Sequence, residues 1–279
     1  MGVSWRMTRV GRRGALRALL GAATLGLLAA GVARMAGQRA SSAGGQQASS
    51  AQPACAATTF EGAGFTVCTF DARRDELRIA WQDAGGAALR GFAGLARALG
   101  DDARRVRFAT NAGMYDEEGR PVGLLVSEGA TLHALEAGDG AGNFYLKPNG
   151  VFSVDRDHQV RVETSDAYAA RHGEAAVTWA TQSGPMLVID GALHPAIAAN
   201  GTSRKVRNGV GARDAHTALF VISDGEVSFG SIARLFLQEL HCANALFLDG
   251  TVSSAWVPAT GRRDAGHMLG PIAVVLGPR

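Results

Sequence analysis

A continuous apolar run at residues 245–248, Ala-Leu-Phe-Leu, stops at Asp249 and is followed by Gly-Thr-Val-Ser-Ser. Such a run without polar alternates suits a strand buried on both faces, so the fold that holds it must supply cover above and below. The acid comes at the strand's end. There Gly250 lets the backbone turn and Ser253 and Ser254 supply hydroxyls, which puts a carboxylate where a ligand can approach. A plain Asp-Gly turn reads the same way in isolation. The rest of the chain has to decide between them.

Residues 1–40 hold seven arginines and no acid, with an uncharged Leu/Ala-rich run at 18–33. A basic stretch ahead of an apolar one predicts a signal peptide or N-terminal anchor over 1–36, so the protein is expected to be exported, periplasmic or secreted. Membrane contact then comes only through that segment, if it stays uncleaved. Arg12-Arg13 also permits a twin-arginine route. Residues 37–57 are dominated by Gly, Ala, Ser and Gln and predict a flexible tether. The remaining 58–279 is of single-domain size.

Removing the seven N-terminal arginines from 28 basic residues leaves 21 against 25 acidic ones, a net charge of −4. The basic excess therefore belongs to the leader, and no nucleic-acid footprint remains. Cysteines stand at 55, 68 and 242. In an exported chain one of three is left over; Cys55 with Cys68 and Cys68 with Cys242 are both allowed, and Cys242 can equally be a small buried hydrophobe.

Strand-like runs occupy 60–70, 76–81, 106–109, 122–126, 157–164, 186–190 and 272–276, with two more around the turn at 147–150. A hairpin about Asp224-Gly225 joins 219–222 to 226–229. Apolar residues recurring at three and four predict helices over 89–99 and from Ser228 or Ser231 to Leu240. This content predicts an α+β (mixed α/β) fold, a strand-rich mixed β-sheet core with a few flanking helices.

Seven histidines are spread singly, with no zinc-binding pair. No Gly-x-Ser-x-Gly elbow, P-loop or dinucleotide fingerprint occurs. No cofactor is expected; a divalent cation such as calcium is chemically possible beside Asp249, but no calcium-loop spacing supports it. What remains is a set of polar residues at strand ends. Arg207, between Val206 and Val210, offers a planar fork for a phosphate, and Lys147 is one of only two lysines. Asn111, with Gly113 two residues on, can aim an amide at a ligand; Gln182 and Ser183 can hydrogen-bond a sugar or phosphate.

In order, the chain carries Thr-Asn-Ala-Gly-Met (110–114), Pro-Val-Gly-Leu (121–124), Gly-Asn-Phe-Tyr-Leu-Lys-Pro-Asn-Gly-Val-Phe (142–152), Ala-Thr-Gln-Ser-Gly-Pro-Met-Leu (180–187), Arg-Asn-Gly-Val-Gly (207–211) and Leu-Asp-Gly-Thr-Val-Ser-Ser (248–254). This series resembles the phosphodiester glycosidase domain family, and most closely its exported bacterial branch. The resemblance implies hydrolysis of a sugar 1-phosphodiester, with a carbohydrate phosphodiester as partner. Position by position it carries over Asn111, Gly113, Gln182, Gly184, Arg207, Gly211, Asp249 and Gly250; together with the reading of the residues themselves, Asp249, Arg207 and Asn111 are expected to carry catalysis, and Gly113, Lys147, Asn149, Gln182, Ser183, Asn208, Gly250, Ser253 and Ser254 to bind substrate. Where many members continue with glycines after the acid, this chain has Thr251 and Val252. That departure also allows a non-catalytic envelope glycan-binding protein, and a serine nucleophile at Ser183 or Ser254 is a third possibility requiring a nearby histidine.

Overall fold

The computed structural model describes residues 53–171 and 177–279. The leader over 1–36 and most of the tether lie outside the described residues. Three antiparallel sheets make up the structure. The largest orders its strands Cys55–Phe60, Ala63–Asp71, Thr217–Ser223, Asn208–Asp214, Asn244–Asp249, Met186–Ile189 and Ala192–Leu193. A second orders Arg262–Arg263, Ala255–Val257, Val106–Asn111, Ile272–Leu276 and Glu76–Ala80, and a third Ala130–His133, Leu125–Ser127, Val177–Ser183, Gly150–Asp155 and Val160–Thr164.

The three sheets share one core, in which Phe108, Phe152 and Phe220, one from each sheet, meet with ring centroids 5.5 and 5.4 Å apart. The helix Phe229–Arg234, extended by a π turn at Leu235–Glu239, covers the other face of the large sheet with Ile232, Leu235 and Phe236. This explains the run at 245–248. Leu246 and Leu248 face the three-sheet core while Ala245 and Phe247 face the helix, so no position can be polar. Full burial of each large side chain here is worth roughly 1.5–3 kcal/mol. Helices Phe92–Leu99 and Ser165–Arg171 cover the outer faces of the second and third sheets through Leu95 and Tyr168.

The chain is strand-rich with few helices, and more β than an α+β reading suggests. Every strand pairing among the described residues is antiparallel, which corrects the expected mixed sheet. The helix of the Phe229 segment crosses the sheet face from Thr217–Ser223 to Asn244–Asp249, which runs in the same direction, but the antiparallel strand Asn208–Asp214 lies between them, so the two do not pair. The expected hairpin about Asp224-Gly225 is also absent. Thr217–Ser223 pairs with Asn208–Asp214 and Ala63–Asp71, and 226–229 contributes only a bridge from Val227 to Lys205 before Ser228 caps the helix through the Ser231 N–H. The first strand, Cys55–Phe60, begins inside the tract read as a tether, and its Cys55 is bonded to Cys68 on the adjacent strand. Cys242 is buried and free, its thiol pushed up to about 12 by desolvation.

Candidate active site

The register brings three strand ends, from two sheets, to one place. Asn208, which opens its strand, pairs with Asp249, which closes its own; Asn111 ends a strand of the second sheet and faces Ile272. Asn208 ties them together. Its Nδ2 donates to Thr110 Oγ1 (2.9 Å), the Asn111 carbonyl (3.0 Å) and Asn111 Oδ1 (3.1 Å), while its Oδ1 accepts from the Asp249 N–H at 2.9 Å. Asn111 Oδ1 also accepts from the Ser254 N–H at 2.9 Å, which fixes the orientation of that amide. Its Nδ2 is then a buried donor without a hydrogen-bond partner. Such a donor is destabilising unless something else satisfies it, and functional sites are where such costs collect.

Arg207 is 1% exposed. Its Nε donates to the Val227 carbonyl (3.0 Å) and its Nη2 to the carbonyl and hydroxyl of Ser203 (3.0 and 3.1 Å). The guanidinium lies 3.7 Å from the Phe229 ring centroid and 5.4 Å from that of Phe247. A desolvated cation over an aromatic face is worth about 2 kcal/mol. Yet no carboxylate pairs with Arg207 among the described residues, and Nη1 donates to none of them. Burial pushes its pKa down to about 10, still far above neutrality, so it carries its charge at physiological pH. Nη1 points at Gly250: a Cβ built there would lie 3.0 Å from it and 2.8 Å from the Phe247 ring. Glycine keeps that guanidinium edge open.

Asp249 flanks the same glycine. Its Oδ1 accepts from the N–H groups of Gly250 (2.6 Å), Thr251 (2.8 Å) and Val252 (3.3 Å), so one oxygen locks the loop. Its Oδ2 has no donor among the described residues. Ser253 Oγ bonds the Asp249 carbonyl at 2.8 Å, and Ser183 Oγ the Leu248 carbonyl at 2.8 Å. Neither serine has a histidine beside it, so neither is arranged as a nucleophile. Ser254, the other serine read as a possible nucleophile, donates its N–H to Asn111 Oδ1 and lines a cavity that His267 also lines. The result is a cation edge left open by Gly250 and, on the residue before that glycine, a carboxylate with only one oxygen engaged by its own loop.

The remaining sequence candidates have other surroundings. Gln182, read as a substrate ligand, has both ends engaged: Oε1 accepts from Leu124 N (3.0 Å) and Glu136 N (2.9 Å), and Nε2 donates to the Glu136 carbonyl (2.7 Å) and Ser165 Oγ (3.0 Å). It is a strut between loops, and Gly123 is a glycine because a Cβ there would sit 2.4 Å from Gln182 Oε1. Asn208, by the same accounting, has its amide filled by protein partners and acts as a tie. Lys147 pairs with Asp139 at 2.7 Å on the exposed surface and lines a cavity with Asn149 and Ser165, apart from Asp249. Asn149 donates to the Phe144 carbonyl at 3.1 Å. Gly113 packs its N–H on Thr181 Oγ1 (3.0 Å), with no room for a side chain over the Gln182 carbonyl.

Sequence reasoning missed Phe229, Phe247, Ser203 and Tyr115. The first three cradle Arg207 from segments up to 40 residues away, with no spacing to mark them. Burial raises the Tyr115 pKa, and the Asp249 charge raises it further; its hydroxyl donates to the Met268 carbonyl at 2.9 Å. No group of three His, Cys, Asp or Glu side chains gathers among the described residues.

Comparison with known proteins places this geometry. A chain from Escherichia coli strain K12, the uncharacterized protein YigE, is 33% identical over 189 residues, covering 68% of this chain and 72% of that one. The catalytic domain of zebrafish N-acetylglucosamine-1-phosphodiester alpha-N-acetylglucosaminidase, in a form auto-inhibited by its pro-peptide, superposes with a TM-score of 0.55 at 14% identity over 81% of this chain and 82% of that one; the likeness is one of fold. The family described as phosphodiester glycosidase matches residues 104–274, which include Asn111, Arg207 and Asp249. The chain therefore belongs to the phosphodiester glycosidase family.

Proposed function

We propose that this protein is an exported hydrolase that cleaves a sugar 1-phosphodiester on a cell-envelope glycan or glycoconjugate. The observation that carries the reading is the buried, carboxylate-free Arg207 with Nη1 open beside Gly250, the residue that directly follows Asp249. A permanently charged guanidinium edge in a dry site is a receptor for a phosphate oxygen. Asp249 Oδ2 accepts a proton from water as the water oxygen attacks the anomeric carbon. The bond from that carbon to the phosphate oxygen breaks, and the leaving phosphate monoester takes the electron pair, its charge met by Arg207. Such a leaving group needs little protonation, so one acid suffices. Export is supported by the arginine-rich leader with its apolar run and by the Cys55–Cys68 bond, which suits an oxidising compartment.

The test is release of phosphate monoester from an N-acetylglucosamine 1-phosphodiester, the substrate class named for the zebrafish fold relative, by wild type and Asp249→Asn. The amide oxygen still accepts from the loop N–H groups, so the variant keeps its fold. Loss of about 10²–10⁴ in kcat is expected of a missing general base. Equal rates would remove Asp249 from the chemistry. A second reading, glycan binding without turnover, is favoured by Thr251-Val252 and by Asp249 Oδ1 being engaged in its own loop. Bound but uncleaved substrate after prolonged incubation, with and without a chelator, would establish it.

A further inference from the structure

A cavity of about 230 Å³ opens beside this site, between the start of helix Phe92–Leu99 and residues 263–269. Two arginines line it. Arg263 lies over the Trp256 ring at 4.6 Å and donates to the Phe92 carbonyl at 2.8 Å; Arg90 reaches the Met268 sulfur at 3.2 Å. Neither forms an ion pair among the described residues. The one acid in the lining, Asp264, is neutralised elsewhere, since it accepts from Arg262 (2.9 Å) and from the Ala255 N–H (2.9 Å). The helix that points its first turn at the cavity has Gly91 as N-cap, with no side-chain cap and no acid in that turn. Its positive end is thus not offset by any group of its own.

A second observation is independent of these charges. Ser254 lines the cavity at 4% exposure, and its hydroxyl has no hydrogen-bond partner among the described residues, although its backbone N–H and carbonyl are held by Asn111 and Thr110. A nearly buried donor is left without a protein acceptor at the wall of a cationic cavity. The same serine connects the cavity to Asp249 through Asn111 and Asn208. Tyr115, which feels the Asp249 charge, donates its hydroxyl to the carbonyl of Met268, which sits in the chain between the lining residues His267 and Leu269.

We propose that this cavity is an anion subsite, formed by Arg90, Arg263, the Ser254 hydroxyl and the helix start, that takes a second phosphate of the substrate beyond the one being cleaved. The substrate class is then a sugar 1-phosphodiester whose remaining part is itself phosphorylated. This rests on the hydrolytic reading above, but its test separates the two.

The experiment compares kcat/KM for N-acetylglucosamine 1-phosphodiesters of glycerol and of glycerol 3-phosphate, using wild type and Arg90→Gln/Arg263→Gln. Calorimetric titration with free glycerol 3-phosphate accompanies it, and circular dichroism checks the fold. The expected result is a preference of tenfold or more for the phosphorylated substrate that the double variant abolishes, and binding of free glycerol 3-phosphate weakened by a similar factor. Hydrolysis of both substrates with no preference would overturn the subsite and leave the hydrolytic reading intact, whether or not free glycerol 3-phosphate binds. Binding of glycerol 3-phosphate that depends on both arginines, with no hydrolysis of either substrate, would uphold the subsite and sink the hydrolase.

Discussion

The strand Val177–Ser183 has polar residues on both of its faces, and the two sides differ in what those residues have left to offer. On one side the Gln182 amide is filled by Leu124, Glu136 and Ser165, and Lys147 nearby is closed off by Asp139. On the other, Ser183 meets the strand of Asp249, and around that strand Arg207 Nη1, Asp249 Oδ2 and Asn111 Nδ2 are unfilled. Both sides descend from motifs of similar polarity. What separates scaffold from receptor is unused hydrogen-bonding capacity, because a buried group with every partner in place has nothing to give a ligand.

That contrast can be broken by experiment. The largest effect after Asp249→Asn is expected from Arg207→Met, which removes the open cation while keeping an apolar filler between Phe229 and Phe247. Turnover should fall about 10²-fold or more, in keeping with the loss of a charge-stabilising donor, while the stability loss stays under about 3 kcal/mol because an unpaired buried charge disappears with it. A variant that retains wild-type kcat/KM would move the receptor elsewhere. Gln182→Leu should behave in the opposite sense. Leaving the Leu124 and Glu136 N–H groups unsatisfied is expected to cost about 2–4 kcal/mol in urea denaturation, with KM near wild type at temperatures where the variant is folded. A selective rise in KM at full stability would return Gln182 to the substrate.

Lys147→Ala should do least. Its ion pair is exposed, so stability should change by less than about 1 kcal/mol and kcat/KM by less than about twofold. A tenfold loss would show that the cavity it shares with Asn149 and Ser165 handles substrate. The glycine beside the open guanidinium edge gives an intermediate case. Gly250→Ala places a methyl 3.0 Å from Arg207 Nη1, and a fall in phosphodiester affinity with an unchanged fold would locate the anion there.

Much of this was legible in the chain. The apolar run at 245–248 announced a strand buried on both faces, and its alternation between Leu246 and Leu248 on one side and Phe247 on the other bears this out. The helix periodicity from Ser228 to Leu240 was equally readable, down to its serine cap. Short polar stretches misled. The hairpin about Asp224-Gly225 had the right turn chemistry, but Thr217–Ser223 found better partners on both of its edges, and long-range pairing decides strand neighbours where local turns cannot. The helix Ser165–Arg171 lacked a pattern long enough to read.

Sequence alone determined the inventory: which runs must be buried, which residues carry charge and amide groups, and the order of motifs that marks the family. Only the tertiary structure decided which of those groups remain available. Hydrogen bonds such as those of Asn208 to Asn111 or of Arg207 to Val227 join residues separated by up to 97 positions, and valence already satisfied by a distant partner leaves no trace in local spacing.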